Sequence, residues 1–255
     1  SWLRSVGQWY DDFTQVDDQT VVDLLRRAQR PPEARPPASP ADEEVEVDAG
    51  ELILPGHLTA PSGAVGVVVF AHGSGSSRHS PRNRFVADQL NTAGLATLTF
   101  DLLTDAEARD RRNVFDIGLL ASRLARAAEW VRDHPAVAGL PVALFGASTG
   151  AAAALVAASD RSREFAAVVS RGGRPDLAGD RLAHVTAPTL LIVGGDDTVV
   201  IGLNREAQRS LRCERRLSIV PGATHLFEEP GTLESVAELA AAWFVEHCTG
   251  AGSPR

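Results

Sequence analysis

A serine between two glycines is the residue of this sequence best placed to act as a nucleophile. Ser148 is the centre of Gly146-Ala147-Ser148-Thr149-Gly150, which separates an apolar strand-like run, residues 142–145, from a helix-like run of small residues, 151–158. A serine at such a turn is strained, and glycines two positions before and after it prevent clashes with strand and helix. The pattern predicts a nucleophile, whereas the alternative is a serine that only caps the helix.

A serine hydroxyl needs a general base, and His225 is the histidine best placed to supply one. It lies in Pro221-Gly222-Ala223-Thr224-His225, between the last predicted strand, residues 216–220, and the last predicted helix. An imidazole at that position can reach back over the sheet. His134 and His247 fall near helix C-termini, where the helix dipole favours a cation, so their positions need no catalytic role.

Two adjacent aspartates, Asp196 and Asp197, are candidates for the acid that orients this base. They follow the apolar run 189–193 and precede His225 in the chain. A carboxylate bound to the imidazole fixes its orientation and stabilises the imidazolium while a tetrahedral intermediate forms. Only one of the two can point toward the histidine, and either can instead cap the helix that follows.

Positive charge is concentrated near the expected mouth of the site, in a chain whose net charge is −8. Arg78, His79 and Arg82 are the residues concerned. Arginine matches the geometry of carboxylates and phosphates, so these side chains are candidates for binding an anionic substrate group. The alternative is a solvated loop in which an arginine pairs with Asp88 or Asp101.

The elements that must position these residues alternate between strands and helices. Two early strands, 45–54 and 58–59, are expected to join around Pro55-Gly56. The alternation that follows predicts an α/β fold with a mostly parallel sheet, helices on both faces, and a ligand site beyond the carboxyl ends of the strands. Further strands are predicted at residues 65–71, 96–100, 142–145, 166–170, 189–193 and 216–220.

Prolines mark the expected start of this α/β domain. Residues 1–30 are predicted to form an N-terminal helical appendage and residues 31–42 a proline-rich linker, since proline fixes φ and favours extended chain. Residues 43–249 form the predicted domain, and 250–255 a disordered tail. The chain starts at Ser1 and contains no methionine, which indicates a processed, trimmed or partial chain.

The composition excludes several classes of protein. A chain of 255 residues with 44% hydrophobic residues can bury a large core. The acidic net charge and the absence of a long basic run disfavour nucleic acid as a partner. No apolar stretch approaches the roughly 20 residues that span a bilayer, so we expect a cytoplasmic protein with no membrane partner. Cys213 and Cys248 have neither metal-ligand nor disulfide-framework spacing.

Taken together, these motifs resemble those of the α/β-hydrolases, and in particular the dienelactone-hydrolase-like group. The resemblance implies an α/β-hydrolase fold without a large lid. Dienelactone hydrolases proper use a cysteine nucleophile, whereas this chain has a serine, so their lactone substrate does not carry over. The resemblance extends from about Glu43 to His247 and is carried by His72-Gly73, Gly146-Ala147-Ser148-Thr149-Gly150, Asp197 and His225.

Two further roles follow from this resemblance. The family spacing of glycine, two residues, aspartate, two residues and valine selects Asp197 through Gly194 and Val200, with Asp196 in reserve. The loop after His72-Gly73 resembles the one that contributes a backbone N–H to the oxyanion hole. The resemblance therefore implies the amides of Ser74 and Thr149 as the donors.

The resulting prediction is a serine hydrolase, of the serine esterase class, that cleaves small soluble carboxylic esters through an acyl-enzyme. Thioesters and lactones need the same machinery. No metal or organic cofactor is required. The rival hypotheses are an acyltransferase or perhydrolase with the same triad, and a non-catalytic interaction module on the hydrolase fold.

The first residues suggest a partner. The segment from Ser5 to Phe13 resembles the tail of phosphoribosyltransferase domains that occur fused ahead of such hydrolases. No strand precedes Asp11-Asp12 and no Thr-Gly phosphate loop follows, so we expect the transferase chemistry to be missing from this chain. Expected partners are therefore a small-molecule ester, a fused or separate phosphoribosyltransferase-like domain, and a second copy of the chain in a homo-oligomer.

Overall fold

The computed structural model describes residues 40–50, 52–161 and 164–250, and within these ranges a single sheet has eight strands. The sheet order is β1-β2-β4-β3-β5-β6-β7-β8, with β1 and β2 antiparallel to their neighbours and the rest parallel. The strands are β1 (Ala41–Asp48), β2 (Ile53–Ala60), β3 (Val67–Ala71), β4 (Ala96–Phe100), β5 (Val142–Ala147), β6 (Val168–Arg171), β7 (Thr189–Gly194) and β8 (Arg215–Val220).

Helices cover both faces of the sheet. One face packs against α4 and α5, and the other packs against α1 and α7. This arrangement confirms the predicted α/β-hydrolase fold. The helices are α1 (Pro81–Thr92), α2 (Asp105–Ala108), α3 (Arg111–Val114), α4 (Ile117–Asp133), α5 (Thr149–Asp160), α6 (Thr198–Ser210) and α7 (Thr232–Gly250), and a 3₁₀ segment spans Pro175–His184.

The central strands have continuous apolar sequences because both of their faces are covered. Every residue of β3, β4, β5 and β7 is buried. Parallel strands sandwiched between helices have no solvent face on which alternating polar residues would be favourable. The apolar runs therefore located these strands to within a few residues.

The first hairpin does not turn where it was predicted to turn. Pro55 and Gly56 lie inside β2, opposite Glu46 and Val45 of β1. The turn instead lies between β1 and β2, where Gly50 has φ of 97° and its N–H donates to Asp48 Oδ1 over 2.7 Å.

Close strand packing explains why a glycine stands within β2. A Cβ on Gly56 would lie 3.1 Å from both the Phe100 Cβ and a Val47 methyl. The Pro55 carbonyl accepts a hydrogen bond from Asp101 N, just beyond the end of β4. The N–H and C=O of one strand residue point to the same side, so the N–H that proline lacks would also face the chain beyond β4. Its absence therefore interrupts no pairing with β4. Pro55 and Gly56 are therefore strand residues and do not form a turn.

Regular secondary structure reaches close to both outer ends of the described ranges. Strand β1 begins at Ala41, inside the predicted linker 31–42, and α7 extends to Gly250, the first residue of the predicted tail. The appendage at 1–30, most of the linker and the rest of the tail lie outside the described residues. None of the helices in the described ranges is both long enough and apolar enough to span a bilayer.

Candidate active site

Ser148 lies at the turn between β5 and α5, at the carboxyl edge of the sheet. Its backbone has φ of 51° and ψ of −117°, a conformation that is rare for a residue other than glycine. Its side chain makes no capping hydrogen bond to α5, although Ser148 occupies the N-cap position. Ser148 is thus half-buried, held in a strained turn and not used to cap the helix, features that are typical of a nucleophile elbow.

The two glycines of the motif allow close backbone approach on both sides of Ser148. A Cβ on Gly146 would lie 2.4 Å from the Ala151 Cα, inside the first turn of α5. A Cβ on Gly150 would lie 2.2 Å from the Ala71 carbonyl oxygen at the end of β3. Both distances are shorter than any van der Waals contact, so these positions require glycine.

We expect Gly150→Ala to destabilise the fold by about 2–3 kcal/mol, because the added methyl forces α5 away from β3. Gly202→Ala is the matched control, since Gly202 is an exposed glycine within α6 and a methyl group added there would have no atom within 4 Å. That control should gain about 0.5–1 kcal/mol from helix propensity. Urea denaturation measures both changes, and equal stability of Gly150→Ala and the unsubstituted chain would contradict the steric argument.

A hydrogen-bonded aspartate and histidine lie beyond the carboxyl ends of β7 and β8, respectively. His225 Nδ1 is 2.7 Å from Asp197 Oδ2, and the Asp197 side chain is 14% exposed. The carboxylate accepts, which assigns the Nδ1 proton and leaves Nε2 as the nitrogen able to take up a proton. Asp196 is exposed, and its backbone N–H donates to the Ala223 carbonyl.

Gly194 allows the turn that contains Asp197 to pack closely against the loop that contains His225. A Cβ on Gly194 would lie 2.4 Å from the Ala223 oxygen and 2.5 Å from the Thr224 oxygen. Asp197 also accepts from Val200 N at the start of α6, so one carboxylate both caps the helix and binds His225. The spacing from Gly194 to Val200 therefore has a geometric reason: Gly194 permits the close contact with the loop of His225, and Val200 donates its N–H to Asp197.

Residues at the end of β6 contact both the Ser148 backbone and the His225 ring. Ser148 N donates to the Arg171 carbonyl over 3.2 Å. The next residue, Gly172, has φ of 51°, and a Cβ there would lie 3.6 Å from His225 Cε1. The serine and the imidazole thus contact neighbouring residues of one short backbone segment.

The loop after β3 lies against the elbow. A Cβ on Gly73 would lie 3.1 Å from the Ser148 Cβ, and Ser74 N donates to Thr149 Oγ1 over 2.9 Å. The amide of Ser74 therefore faces the residue after the serine. The hydrogen bond from Ser74 to the Thr149 hydroxyl was not anticipated, and no sequence motif signals it.

His72 has a structural place in this loop. Its Nδ1 lies 3.0 Å from the Gly73 carbonyl oxygen, and Leu102 N donates to its Nε2 over 3.1 Å. Burial lowers the pKa of His72, which favours the neutral ring needed to accept that bond. Nδ1 therefore contacts the loop of His72 itself, and Nε2 joins this loop to the segment after β4.

Both arginines of the predicted anion-binding group form ion pairs with carboxylates of other segments. Arg78 Nη1 lies 2.6 Å from Asp101 Oδ2, which matches the pairing considered as the alternative for this loop. Arg82 Nη1 lies 3.1 Å from Glu228 Oε1. His79 is exposed. Arg78 and His79 border the cavity described next, whereas Arg82 borders a different cavity, which Phe227 also lines.

A cavity of about 760 Å³ opens beside the loop after β3. Thr149 lines its inner end, so the cavity reaches the residue next to Ser148. Its apolar wall comes from the segment between β4 and α4, which sequence reasoning did not connect with the site because that segment carries no recognisable motif. The apolar residues of this wall are Leu102, Leu103, Ala108, Val114, Phe115 and Leu120.

Residues 64–244 match the family described as the alpha/beta hydrolase domain. This chain belongs to the α/β-hydrolases. The hydrolase is also similar to a crystal structure of dienelactone hydrolase from Anabaena variabilis, with 57% identity, a TM-score of 0.79, and coverage of 82% of this chain and 98% of that one. It shares its fold with Est1E from Butyrivibrio proteoclasticus at 16% identity and a TM-score of 0.69, over 81% of this chain and 99% of that one.

Two curated relatives have a different kind of name. The hydrolase is 59% identical, over 97% of its length, to proteins from two strains of Mycobacterium tuberculosis that carry the name "Putative phosphoribosyl transferase". It spans 57% of the length of each relative. Their name is consistent with the resemblance of the first residues to a phosphoribosyltransferase tail.

Within the described part of the hydrolase, neither the two cysteines nor a cluster of metal ligands forms a second candidate catalytic centre. Burial raises the pKa of the Cys248 thiol to about 11, and burial also raises the pKa of Cys213, so neither is a thiolate at neutral pH. No group of three or more metal-ligating side chains occurs among these residues.

Proposed function

We propose that this hydrolase cleaves small soluble carboxylic esters through an acyl-enzyme on Ser148. The observation that carries the proposal is the 2.7 Å hydrogen bond between Asp197 and His225, formed beside a serine held at a positive φ. Each of the three groups belongs to a different strand end. Strain at the serine and burial of the aspartate both have a cost to folding, and catalysis gives a reason for them.

The proposed first step forms the acyl-enzyme. Ser148 Oγ attacks the ester carbonyl carbon while His225 Nε2 takes the hydroxyl proton. Asp197 holds the ring through Nδ1 and stabilises the positive charge on the imidazolium. His225 then gives the proton to the departing alkoxide oxygen, and in the second step it activates a water molecule that hydrolyses the acyl-serine.

The negative oxygen formed in both steps would bind the backbone N–H groups of Ser74 and Thr149. Thr149 is the first residue of α5, where an N–H has no partner within the helix. In the free enzyme Ser74 N donates to the Thr149 hydroxyl, so that hydroxyl would rotate away as the substrate oxygen enters. Preorganised donors of this type contribute about 3–4 kcal/mol each to transition-state stabilisation.

The cavity of about 760 Å³ supports the proposed substrate class. It would receive the acyl group, because it adjoins Thr149 and the loop after β3, and apolar residues of the segment between β4 and α4 form one of its walls. Between β6 and β7 the chain adds only the 3₁₀ segment Pro175–His184. The site therefore lacks a large covering insertion at that position, which favours small soluble esters over long lipids.

Phosphoribosyl transfer, as named for the Mycobacterium tuberculosis relatives, is not the activity we propose for these residues. The strand ends that carry Ser148, Asp197 and His225 are arranged for acyl chemistry. We infer that any transferase activity of the relatives belongs to the part of their length that this chain does not match.

A panel of p-nitrophenyl esters from acetate to laurate tests this function, with Ser148→Ala as the blank. We expect turnover above the blank for acetate to hexanoate and a fall in kcat/KM for laurate. No ester hydrolysis above the blank by the folded chain, or a preference for laurate, would contradict the proposal.

A further inference from the structure

Phe227 has a strained backbone two residues after the proposed base. Its φ is 55°, and within the described ranges Ser148 is the only other residue besides the glycines with a positive φ. A positive φ is an outlier for a residue as bulky as phenylalanine, because its Cβ approaches the following carbonyl oxygen. Such strain persists only where the surrounding structure determines the conformation, and it is concentrated at functional sites. The two strained residues are thus the proposed nucleophile and a neighbour of the proposed base.

The turn that contains His225 closes on Phe227. Phe227 N donates to Thr224 O over 3.3 Å, so His225 is one of the two central residues of a four-residue turn. Glycine is favoured at the last position of the commonest turn of this length, and it would adopt a φ of 55° without strain. The backbone alone therefore gives no reason for a phenylalanine here, and the reason has to come from its ring.

The Phe227 ring is packed in the core. The residue is 1% exposed and belongs to the apolar cluster that α1 and α7 cover. Its Cε2 lies 3.5 Å from the point where a Cβ on Gly172 would lie, and His225 Cε1 lies 3.6 Å from the same point. Gly172 directly follows the residue whose carbonyl accepts the Ser148 N–H. The Phe227 ring therefore approaches the same backbone segment as the His225 ring and the Ser148 amide.

The histidine loop is held in different ways before and after His225. Before it, Thr224 N donates to Glu229 Oε2 over 3.0 Å. After it, Leu226 is 41% exposed, so the next buried side chain along the chain is that of Phe227. The base is thus fixed by polar contacts on one side and by one buried ring on the other.

We propose that Phe227 is a positioning residue for His225, whose buried ring holds the turn so that Nε2 stays within reach of the Ser148 hydroxyl. The inference rests on the proposed function, because it takes His225 as the base. Proton transfer requires hydrogen-bond distance between the heavy atoms, and a misplacement of about 1 Å can cost about 10²-fold in rate. A ring that keeps the turn in place at the expense of backbone strain therefore has a catalytic reason.

The kinetic test compares Phe227→Leu with Phe244→Leu. Phe244 lies on α7 in the same apolar cluster and is fully buried, so both substitutions remove a ring from one core. We expect similar falls in Tm for the two variants. Below both melting transitions, Phe227→Leu alone should lower kcat for p-nitrophenyl butyrate, by about 10- to 100-fold with KM within about threefold, because a misplaced base slows both chemical steps.

Alanine and glycine at position 227 separate positioning from stability. Both lack the ring, but glycine adopts a φ of 55° without strain, so Phe227→Gly should have the higher Tm of the two. A purely structural role predicts that kcat follows Tm. The positioning role predicts that Phe227→Gly is no more active than Phe227→Ala, because neither residue restores the anchor. Should neither variant fold, the two leucine variants decide.

Labelling with a fluorophosphonate distinguishes failure of this inference from failure of the proposed function. The unsubstituted enzyme and Phe244→Leu should be labelled at similar rates, and Phe227→Leu at least about tenfold more slowly. Equal labelling rates or equal kcat values for the two leucine variants, or a kcat that follows Tm across all the variants, would overturn the positioning role while the proposed function stands. A folded unsubstituted enzyme that is not labelled would overturn the proposed function and this inference with it.

Discussion

Ser148→Ala is expected to lower kcat for p-nitrophenyl butyrate by at least about 10⁴-fold, because no acyl-enzyme can form without the hydroxyl. Serine and alanine should be similarly strained at the positive φ of this position, so we expect Tm to stay close to that of the unsubstituted enzyme. Initial rates measured at saturating ester give kcat, and a thermal melt verifies the fold.

Ser159→Ala is the control for this first experiment. Ser159 belongs to the same helix, α5, and its hydroxyl donates only to Val156 O and to the side chain of its neighbour. Its loss should leave kcat within about twofold. A Ser148→Ala enzyme that keeps more than a tenth of the activity would contradict the role of Ser148 as nucleophile.

Asp197→Asn is expected to lower kcat by about 10³- to 10⁴-fold. An asparagine at this position can present an N–H to His225 Nδ1, which favours the tautomer whose Nε2 carries the proton and cannot act as a base. The imidazolium formed during acylation would also lose its negative partner, now 2.7 Å away.

The neighbouring aspartate gives this second experiment its control. Asp196 is exposed and contacts the histidine loop through its backbone N–H, which asparagine retains. Asp196→Asn should therefore keep kcat within about threefold. The opposite ranking of the two variants would transfer the orienting role to Asp196 and contradict the geometry.

Strand positions and the order of site residues were predictable from sequence because both depend on local patterns. Buried parallel strands have continuous apolar runs, and β4 was placed with its correct ends. Gly146 and Gly150 predicted the elbow because the backbone contacts they permit lie within a few residues of them or at one neighbouring strand. The choice of Asp197 over Asp196 came from the resemblance to a family, whose spacing Gly194 and Val200 match, and Asp197 is the aspartate hydrogen-bonded to His225.

Features that depend on contacts between distant segments were not predictable. Pro55-Gly56 has the composition of a turn, but the packing of Gly56 against Phe100 and Val47 keeps both residues inside β2. For the Arg78 loop the sequence left open a substrate-binding role or a pairing with Asp88 or Asp101, and only the folded structure, with Asp101 2.6 Å from Arg78, selects the pairing. Arg171 shows the converse, since the absence of a hydrogen-bond partner for its buried Nη1 among the described residues is visible only in the folded structure.

Reaction with a fluorophosphonate probe tests the nucleophilic role of Ser148 most directly, because the probe labels only an activated serine. We predict a single adduct, located on Ser148 by peptide mass spectrometry, strongly reduced in Asp197→Asn and absent in Ser148→Ala. A folded enzyme that forms no adduct, or an adduct that persists in Ser148→Ala, would contradict that role.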